Sequence, residues 1–557
     1  MTGKLEPLEE QAPNASRKRH RILIAVATVL LVVALAMLAA LEYIVHHAEP
    51  ILRARVIETL ETRFQSRVEL AEFRVSLIQG LQVTGRALKL FPLALPSDKP
   101  LFAVDQFHFR TTWKDLLKTP MNVGYVRVDG LQINLPPKEQ RHDIPRLNPG
   151  NRRGKIEINV DQIDINNATL ILGTSKPGKV PLDFEISHAA LRSVGPGKPL
   201  HFDATLVNPK PVGDIQSSGN FGPFDAASPA DTAVDGEYSF SNADLSTLKG
   251  IGGILSSTGK YAGTLGSIVV DGTTDTPDFR ISVSGHPVPL HTKFHATVDG
   301  TNGDTYLDPV DATILHSHVL ARGKVVRVPN AHGHDISLDV IVDRARIEDL
   351  LQLGMRTEPP VMTGGVQLQT KLKIPPGEQD VTERLQLRGS FLITNAHFNN
   401  DKIQARVDEL SMVSQGKPKE GHDDIPDNVK SEMKGNFNLA GAKVTVSSLN
   451  FDVPGANVQM DGTYSLDGNE FDFHGKARLK AHLSEMVTGW KSILLKPVDP
   501  FFAKNGAGTE LPIKVTGTTS EPKFGLDFHR KDNKDSPKVG NTKDDKQKDS
   551  GIVTAPK

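Results

Sequence analysis

Two histidine pairs are the first residues of this 557-residue chain whose types and spacing could do chemistry: His316-Ser317-His318 and His332-Gly333-His334. On a strand, residues two apart point to the same face, so each pair could offer two imidazoles to one divalent metal. A metal site needs a third ligand, and neither pair has one nearby at a recognisable spacing. With 19 histidines in the chain, such pairs arise easily. Gly421-His422-Asp423-Asp424 lies in a polar stretch that reads as a loop. The chain has no cysteine, which removes disulfides, thiolate ligands and a thiol nucleophile. Serines, aspartates and histidines are plentiful, but no Gly-x-Ser-x-Gly elbow, phosphate loop or credible Ser-x-x-Lys motif appears. Asn14-Ala15-Ser16 and Asn167-Ala168-Thr169 match only a glycosylation acceptor pattern. The residues predict no catalytic site, no metal and no cofactor, so the chain reads as a non-enzyme.

Lys and Arg number 65 against 66 Asp and Glu, and no basic stripe stands out, so nucleic acid is not an expected partner. The N-terminus is more specific. Arg17-Lys18-Arg19-His20-Arg21 precedes an uncharged apolar run over residues 22–41, about the ~20 residues a spanning helix needs. A cleavable signal peptide, cut after Ala34-Leu35-Ala36, is the rival reading, but the apolar run continues past that site. An uncleaved anchor over 22–44 is expected, with residues 1–21 cytoplasmic by the positive-inside rule and the rest of the chain across the membrane.

The elements beyond the anchor are read from hydrophobic period. Leu52, Val56, Leu60 and Phe64 fall four apart, on one face of a short helix. Period two follows almost to the end, predicting strand after strand, each with one apolar face. That face collects Leu70 and Phe73; Val83 and Leu88; Phe107 and Phe109; Val126, Val128 and Ile133; then Phe184, Phe202 and Phe294. Residues 154–173, GKIEINVDQIDINNATLILG, read as a hairpin turning at Asn166-Asn167. Ile156, Ile158, Val160, Leu170 and Leu172 lie on its apolar face, and a bulge is expected at Asp161-Gln162. A second hairpin turns at Asp467-Gly468 and adds Val458, Met460, Phe471, Phe473 and Leu479, with Gly462 and Gly475 marking bulges or bends.

Helical patterns are few: 242–255, 346–354 and an amphipathic stretch from Leu483. None alternates with strands in a βαβ manner, so a parallel α/β fold is not expected. GTTDTPDFRI from Gly272 and GTTSEPKFGL from Gly517 read as a repeated unit, each between two strands. Residues 415–432 read as a loop, and the charged 530–557 as a disordered tail. About 25 to 30 strands with apolar faces need a cover. A string of sandwich domains is one solution, but punctuation about every 100 residues is not seen. The expected fold is mostly β: one long curved antiparallel sheet with short capping helices.

The order of these segments resembles the AsmA family. The resemblance runs through the anchor, ILRARVIETLETRF, VELAEFRVSLIQGLQVTGRALKL and FAVDQFHFRTTWKDLLKTPMNVGYVRVDGLQINLP, with a short helical turn at Trp113 to Leu117. It resumes in GNFNLAGAKVTVSSLNFDVPGANVQMDGTYSL and LPIKVTGTTSEPKFGLDF; residues 215–380 match mainly in style. The resemblance implies a periplasmic protein of a Gram-negative envelope, anchored in the inner membrane. It groups the chain with TamB-like, bridge-like lipid transfer proteins, whose sheet curls into an open, taco-shaped apolar groove. The implied organisation is an N-terminal module over 45–150, an extended β-groove over 151–482, and an amphipathic helix with terminal strands over 483–529. The apolar residues named above become groove lining, and membrane phospholipid becomes the expected cargo. At ~4.8 Å per strand, 25 to 30 strands would extend on the order of 120–140 Å. The alternative is a scaffold that supports assembly of outer-membrane or other envelope proteins without carrying lipid.

Overall fold

The computed structural model describes residues 31–527 apart from 34, 38–48, 52, 55, 59, 63, 77–80, 94–98, 117–120, 138–139, 141–157, 176–179, 196, 225–227, 283–284, 330, 332, 417–428, 467–469, 487–495, 497–498 and 500–507. Described residues between 31 and 37 are helical, as are those between 49 and 64, here α1. Among the described residues, no helix is long and apolar enough to cross a membrane, and most of the expected anchor, like the expected tail, lies outside them.

Alternating sequence becomes strand throughout. The first six are β1 (Ser66–Ser76), β2 (Leu81–Pro92), β3 (Phe102–Thr111), β4 (Met121–Leu135), β5 (Ile158–Leu172) and β6 (Leu182–Val194). Then come β7 (Leu200–Pro209), β8 (Val212–Phe221), β9 (Ala233–Asp244), the two-residue β10 (Ile251–Gly252), β11 (Ile254–Thr264) and β12 (Ser267–Ile281). The next six are β13 (Val288–Val298), β14 (Thr305–Ile314), β15 (Ser317–Arg327), β16 (His334–Arg346), β17 (Met362–Ile374) and β18 (Gln386–Phe398). The last six are β19 (Ser431–Ala440), β20 (Lys443–Val453), β21 (Ala456–Ser465), β22 (Glu470–Leu479), β23 (Thr509–Thr518) and β24 (Pro522–Leu526). Short helices interrupt them: α2 (Trp113–Leu116), α3 (Ile347–Gly354), α4 (Val381–Arg384) and α5 (Asp401–Ser414).

All 24 strands belong to one long, open, curved sheet, so separate sandwich domains are excluded for this region. Neighbours in sequence are neighbours in space, except that β9 pairs with β11 and β10 attaches to β12. Every pairing is antiparallel but one: β4 and β5 run parallel, joined by residues 136–157. A parallel pair needs a crossover long enough to return the chain to its starting end.

That pairing overturns the reading of 154–173 as a hairpin. Residues 158–172 form one strand, β5, and Asn166-Asn167 lie inside it. Asn167 has φ 53°, a left-handed conformation that Asn tolerates, and it interrupts the alternation without turning the chain. Ala87 (φ 52°) and Gly130 (φ 70°) do the same in β2 and β4. Between β1 and β2 the pairs Leu70↔Leu88 and Glu72↔Arg86 keep one register, yet Leu70 and Phe73 are both buried. Alternation therefore shifts by one residue without an inserted residue. The expected bulge at Asp161-Gln162 is a second site of this kind: Val160↔Val194 and Gln162↔Arg192 flank Ser193, at φ 60°.

Other expectations change too. Residues 242–255 are not helical; only a 3-10 turn at Leu245–Thr247 separates β9 from β10 and β11. The two GTT segments do not share a setting. The first lies inside β12, whose register shifts between Thr276 and Phe279, whereas the second turns from β23 to β24 with Gly517 at φ 106°. Gly462 lies at an irregularity as expected, because the β20–β21 register shifts between its partner Val446 and Leu449, whereas the β21–β22 ladder through Gly462 and Gly475 is unshifted. They make room, since a Cβ on Gly462 would lie 2.5 Å from the Phe473 ring and one on Gly475 2.6 Å from Met460. From Leu483 a 3-10 turn runs only to Met486, and 487–495 lie outside the described residues.

Helix α5 has no counterpart in the sequence reading. Asn400 caps it, its side chain accepting from Lys402 N and Ile403 N. Its buried face mixes Val407 and Met412 with Gln404, Asp408 and Ser411. These polar side chains satisfy backbone groups beside the strand ends: Gln404 accepts from Phe398 N at 2.9 Å, Asp408 accepts from Val429 N at 2.9 Å, and Ser411 donates to Pro454 O at 2.9 Å.

Candidate binding face

Strand register carries one row of side chains across the whole sheet. It starts Val75↔Val83↔Phe109↔Val126↔Ile163↔Leu191↔Phe202↔Gly219↔Gly236↔Tyr261. It continues Tyr261↔Val270↔Ala296↔Leu307↔Gly323↔Leu338↔Leu372↔Leu387. It ends Leu387↔Leu439↔Val444↔Tyr464↔Phe471↔Gly517↔Pro522. Directly opposed residues share a face, so this row defines one face from β1 to β24. No residue in it is charged.

The candidates named from sequence fall in this row or beside it. Leu70 opposes Leu88, Phe73 opposes Gly85, and Gly85 opposes Phe107. The Phe107 ring lies over Gly85, 2.2 Å from where a Cβ would be. Val128 opposes Phe107, Ile133 opposes Leu170, Leu170 opposes Phe184, and Leu172 opposes Leu182. Phe294 opposes Gly272 and Val310; Val458 opposes Phe451 and Ala477; Met460 opposes Leu449. Phe473 opposes Val515 and Leu479 opposes Ala456. Val160 opposes Val123 and Val194, beyond the interruption at Ser193. Ile158 lies in β5 opposite Met121, and Ile156 is outside the described residues.

Cover is uneven along this face. Over β1–β3, Val56 and Ile57 of α1 pack on Leu70, Phe73, Val75 and Val83. Glu61 of α1 also accepts from Val68 N at 3.3 Å, and Arg53 donates to Leu70 O, which occupies backbone groups of the first strand. From β16 to β23 a second cluster runs from Val342 to Leu479, sealed at one end of the strands by Val407 of α5, Ile347 and Leu350 of α3, and Met486. Neither cluster extends over β4–β14. Along β11 and β12 half-buried residues of this face alternate with exposed ones of the other, whereas Val123, Ala168, Val234, Val288, Ala296 and Ile314 are buried. The sheet therefore curves around its apolar face.

The opposite face is polar and cross-linked. Tyr125 donates to Asp164 at 2.8 Å, Asn166 donates to Asp129 at 3.2 Å, and Arg192 pairs with Asp203 at 2.6 Å. The Arg127 hydrogen bond holds the Asp129 carboxyl below its usual range, and the Arg192 bond does the same for Asp203. The His316–His318 pair is part of no metal-holding group among the described residues. His316 Nδ1 lies 3.9 Å from Asp349 Oδ1, and His318 Nδ1 lies 3.2 Å from Thr313 Oγ1. Ser317, between them, is fully buried and donates to Asp349 at 2.7 Å. Burial pushes the His334 imidazole down, aided by Arg327, and His332 is outside the described residues. Among the described residues no group of three or more His, Asp or Glu could hold a metal ion.

Sequence reading missed one feature of the face. On β8–β13 it changes from aliphatic to hydroxyl-bearing: Ser217, Tyr238, Ser257, Tyr261, Thr274 and Thr292, interleaved with glycines. Tyr261 lies over Gly236 and Tyr238 over Gly259, with the would-be Cβ atoms 2.6 and 2.8 Å away. Burial pushes the Tyr261 phenol up, against the opposing Ser217 hydrogen bond. The signal was present as period two in Gly236-x-Tyr238-x-Phe240 and Ser257-x-Gly259-x-Tyr261. Compared with known proteins, the chain matches no family model, no curated protein and no solved structure.

Proposed function

We propose that the chain is an AsmA-like envelope protein that holds phospholipid acyl chains along the apolar face and conducts them between membranes. Residues 22–44 would anchor it in the inner membrane, with the sheet in the periplasm curled as an open groove. One observation carries the reading: a face that runs from β1 to β24, mostly apolar, over whose β4–β14 stretch neither buried cluster extends. Leaving such a face wet is costly, because each CH₂ moved from water is worth about 0.8 kcal/mol. Acyl chains would supply the missing apolar neighbours, headgroups would stay at the open edges, and sliding along the face would replace desorption into water. No reacting group is required.

The test is lipid carriage by the purified full-length protein, extracted in mild detergent and analysed by mass spectrometry. Phospholipid is expected to copurify and to be retaken after delipidation. Leu170→Asp with Phe184→Asp, in the uncovered stretch, should abolish carriage while the β-sheet circular dichroism signal and melting remain. A folded, delipidated protein that takes up no phospholipid overturns the proposal.

A further inference from the structure

The hydroxyl belt on β8–β13 has a defined proton inventory. Ser217 Oγ donates to Glu237 O at 3.0 Å and lies 2.8 Å from Tyr261 Oη. Ser257 Oγ donates to Thr273 O at 2.9 Å and lies 3.0 Å from Tyr238 Oη. Each serine has one proton, spent on a backbone carbonyl, so each phenol must donate to its serine. Thr274 and Thr292, 2.7 Å apart, share one hydrogen bond and leave one hydroxyl proton over. The belt thus holds donors that can turn to an incoming acceptor while both serines keep their backbone bonds. The rows of β4–β14 on this face include no charged side chain among the described residues, and the first is Arg327 at the end of β15. An ionised headgroup would find no partner there, whereas a neutral acceptor would.

We infer that the belt is a seat for the ester carbonyls of an acyl lipid, with Tyr238 and Tyr261 as the donors that recognise them. Acyl chains then lie on the aliphatic rows of β4–β7 beside it, and the charged headgroup stays outside the face. The glycines are part of the seat. With Gly236 and Gly259 beneath them the two rings lie against the backbone, the Tyr261 hydroxyl 2.6 Å from where a Gly236 Cβ would be, so the rings do not block the face.

The inference rests on the lipid-carrying reading, and the experiment separates the two. Full-length protein in detergent is offered an equimolar mixture of dioleoyl phosphatidylglycerol and its dialkyl ether analogue, which has the same headgroup and chain length but no carbonyls. Mass spectrometry of the bound fraction gives the ester-to-ether ratio. The expected ratio is about 3, low in the range for a hydrogen bond, because each phenol gives up its serine to reach the carbonyl. Tyr238→Phe with Tyr261→Phe keeps both rings and should bring the ratio close to 1. A wild-type ratio of 1 with lipid bound overturns the seat and leaves lipid carriage standing. A ratio of 3 that survives the double variant overturns the assignment to these tyrosines. Folded protein that binds neither lipid overturns both.

Discussion

Leu170 and Leu479 are the same residue type on the same face, in different company. Leu479 is 3% exposed within the cluster that α5 helps to seal, whereas Leu170 is only half-buried in the uncovered stretch. Truncating a packed leucine loses transfer energy and leaves a cavity, typically about 2–5 kcal/mol, and a residue with no cover leaves no cavity. Leu479→Ala should therefore lower the unfolding free energy by about that amount, and Leu170→Ala by under about 1 kcal/mol, read from denaturant melts of lipid-free protein. Equal losses would mean that the face is covered where no cover is seen. A second residue-scale prediction concerns pH. Burial raises the Tyr261 and Tyr464 phenols above the ordinary tyrosine value of 10.0. Below that value both states are neutral and folding is unaffected. Above it the unfolded chain releases protons that the folded one retains, so stability falls as pH rises through the folded values. Tyr261→Phe with Tyr464→Phe should shift alkaline unfolding to higher pH. Alternation alone puts both Leu479 and Leu170 on the apolar face. Which of them is covered depends on helices distant in sequence, and alternation cannot report that.

Among the elements, α5 shows what hydrophobic period can miss. Its buried face includes Gln404, Asp408 and Ser411, which hydrogen-bond to exposed strand-end backbone, so its inward stripe does not read as apolar. What sequence does carry is its cap. Asn400 accepts from two backbone N–H groups and also donates to Thr519 O at 3.3 Å, tying α5 to the β23–β24 turn. Asn400→Ala should cost about 1 kcal/mol and raise amide exchange in the first turn of α5. Unchanged exchange there would show that the cap is idle. Strand β5 fails for the opposite reason. Asn-Asn between two apolar runs is turn chemistry, and the local signal was followed. The structure keeps the chain straight because the neighbouring strands interrupt their own alternation alongside it, at Ala87, Gly130 and Asn167, so the apolar face passes through unbroken. A slip in one strand looks like a turn, and only slips aligned across paired strands reveal a continuous sheet.

At the scale of the molecule, curvature brings distant connections together. Lys249, between β9 and β10, donates through Nζ to Glu378 O at 2.8 Å, and its own carbonyl accepts from Val381 N at 3.4 Å. Lys249 lies two residues before β10, which pairs with β12, and β12 and β17 are five pairings apart, roughly 24 Å in a flat sheet at ~4.8 Å per step. A direct contact over that separation requires the sheet to roll. His286 Nε2, at the β12–β13 connection, lies 3.2 Å from Arg356 O at the α3–β17 connection, a second contact of the same kind. The absence of cysteine makes the roll testable, because an introduced pair meets no competing thiol. Lys249→Cys with Glu378→Cys, treated with a short bismaleimide, should give a fast-migrating internally linked species in the folded protein and none after denaturation. Control pairs bring the test to bear on the roll itself: Lys249→Cys with Lys434→Cys joins the same strand region to β19, for which no such contact is seen, and should stay unlinked. Linkage of both pairs would indicate a collapsed rather than a rolled sheet, and linkage of neither would indicate one that is flat. Retention of the first link alone fixes the curvature that gives the apolar face an inside.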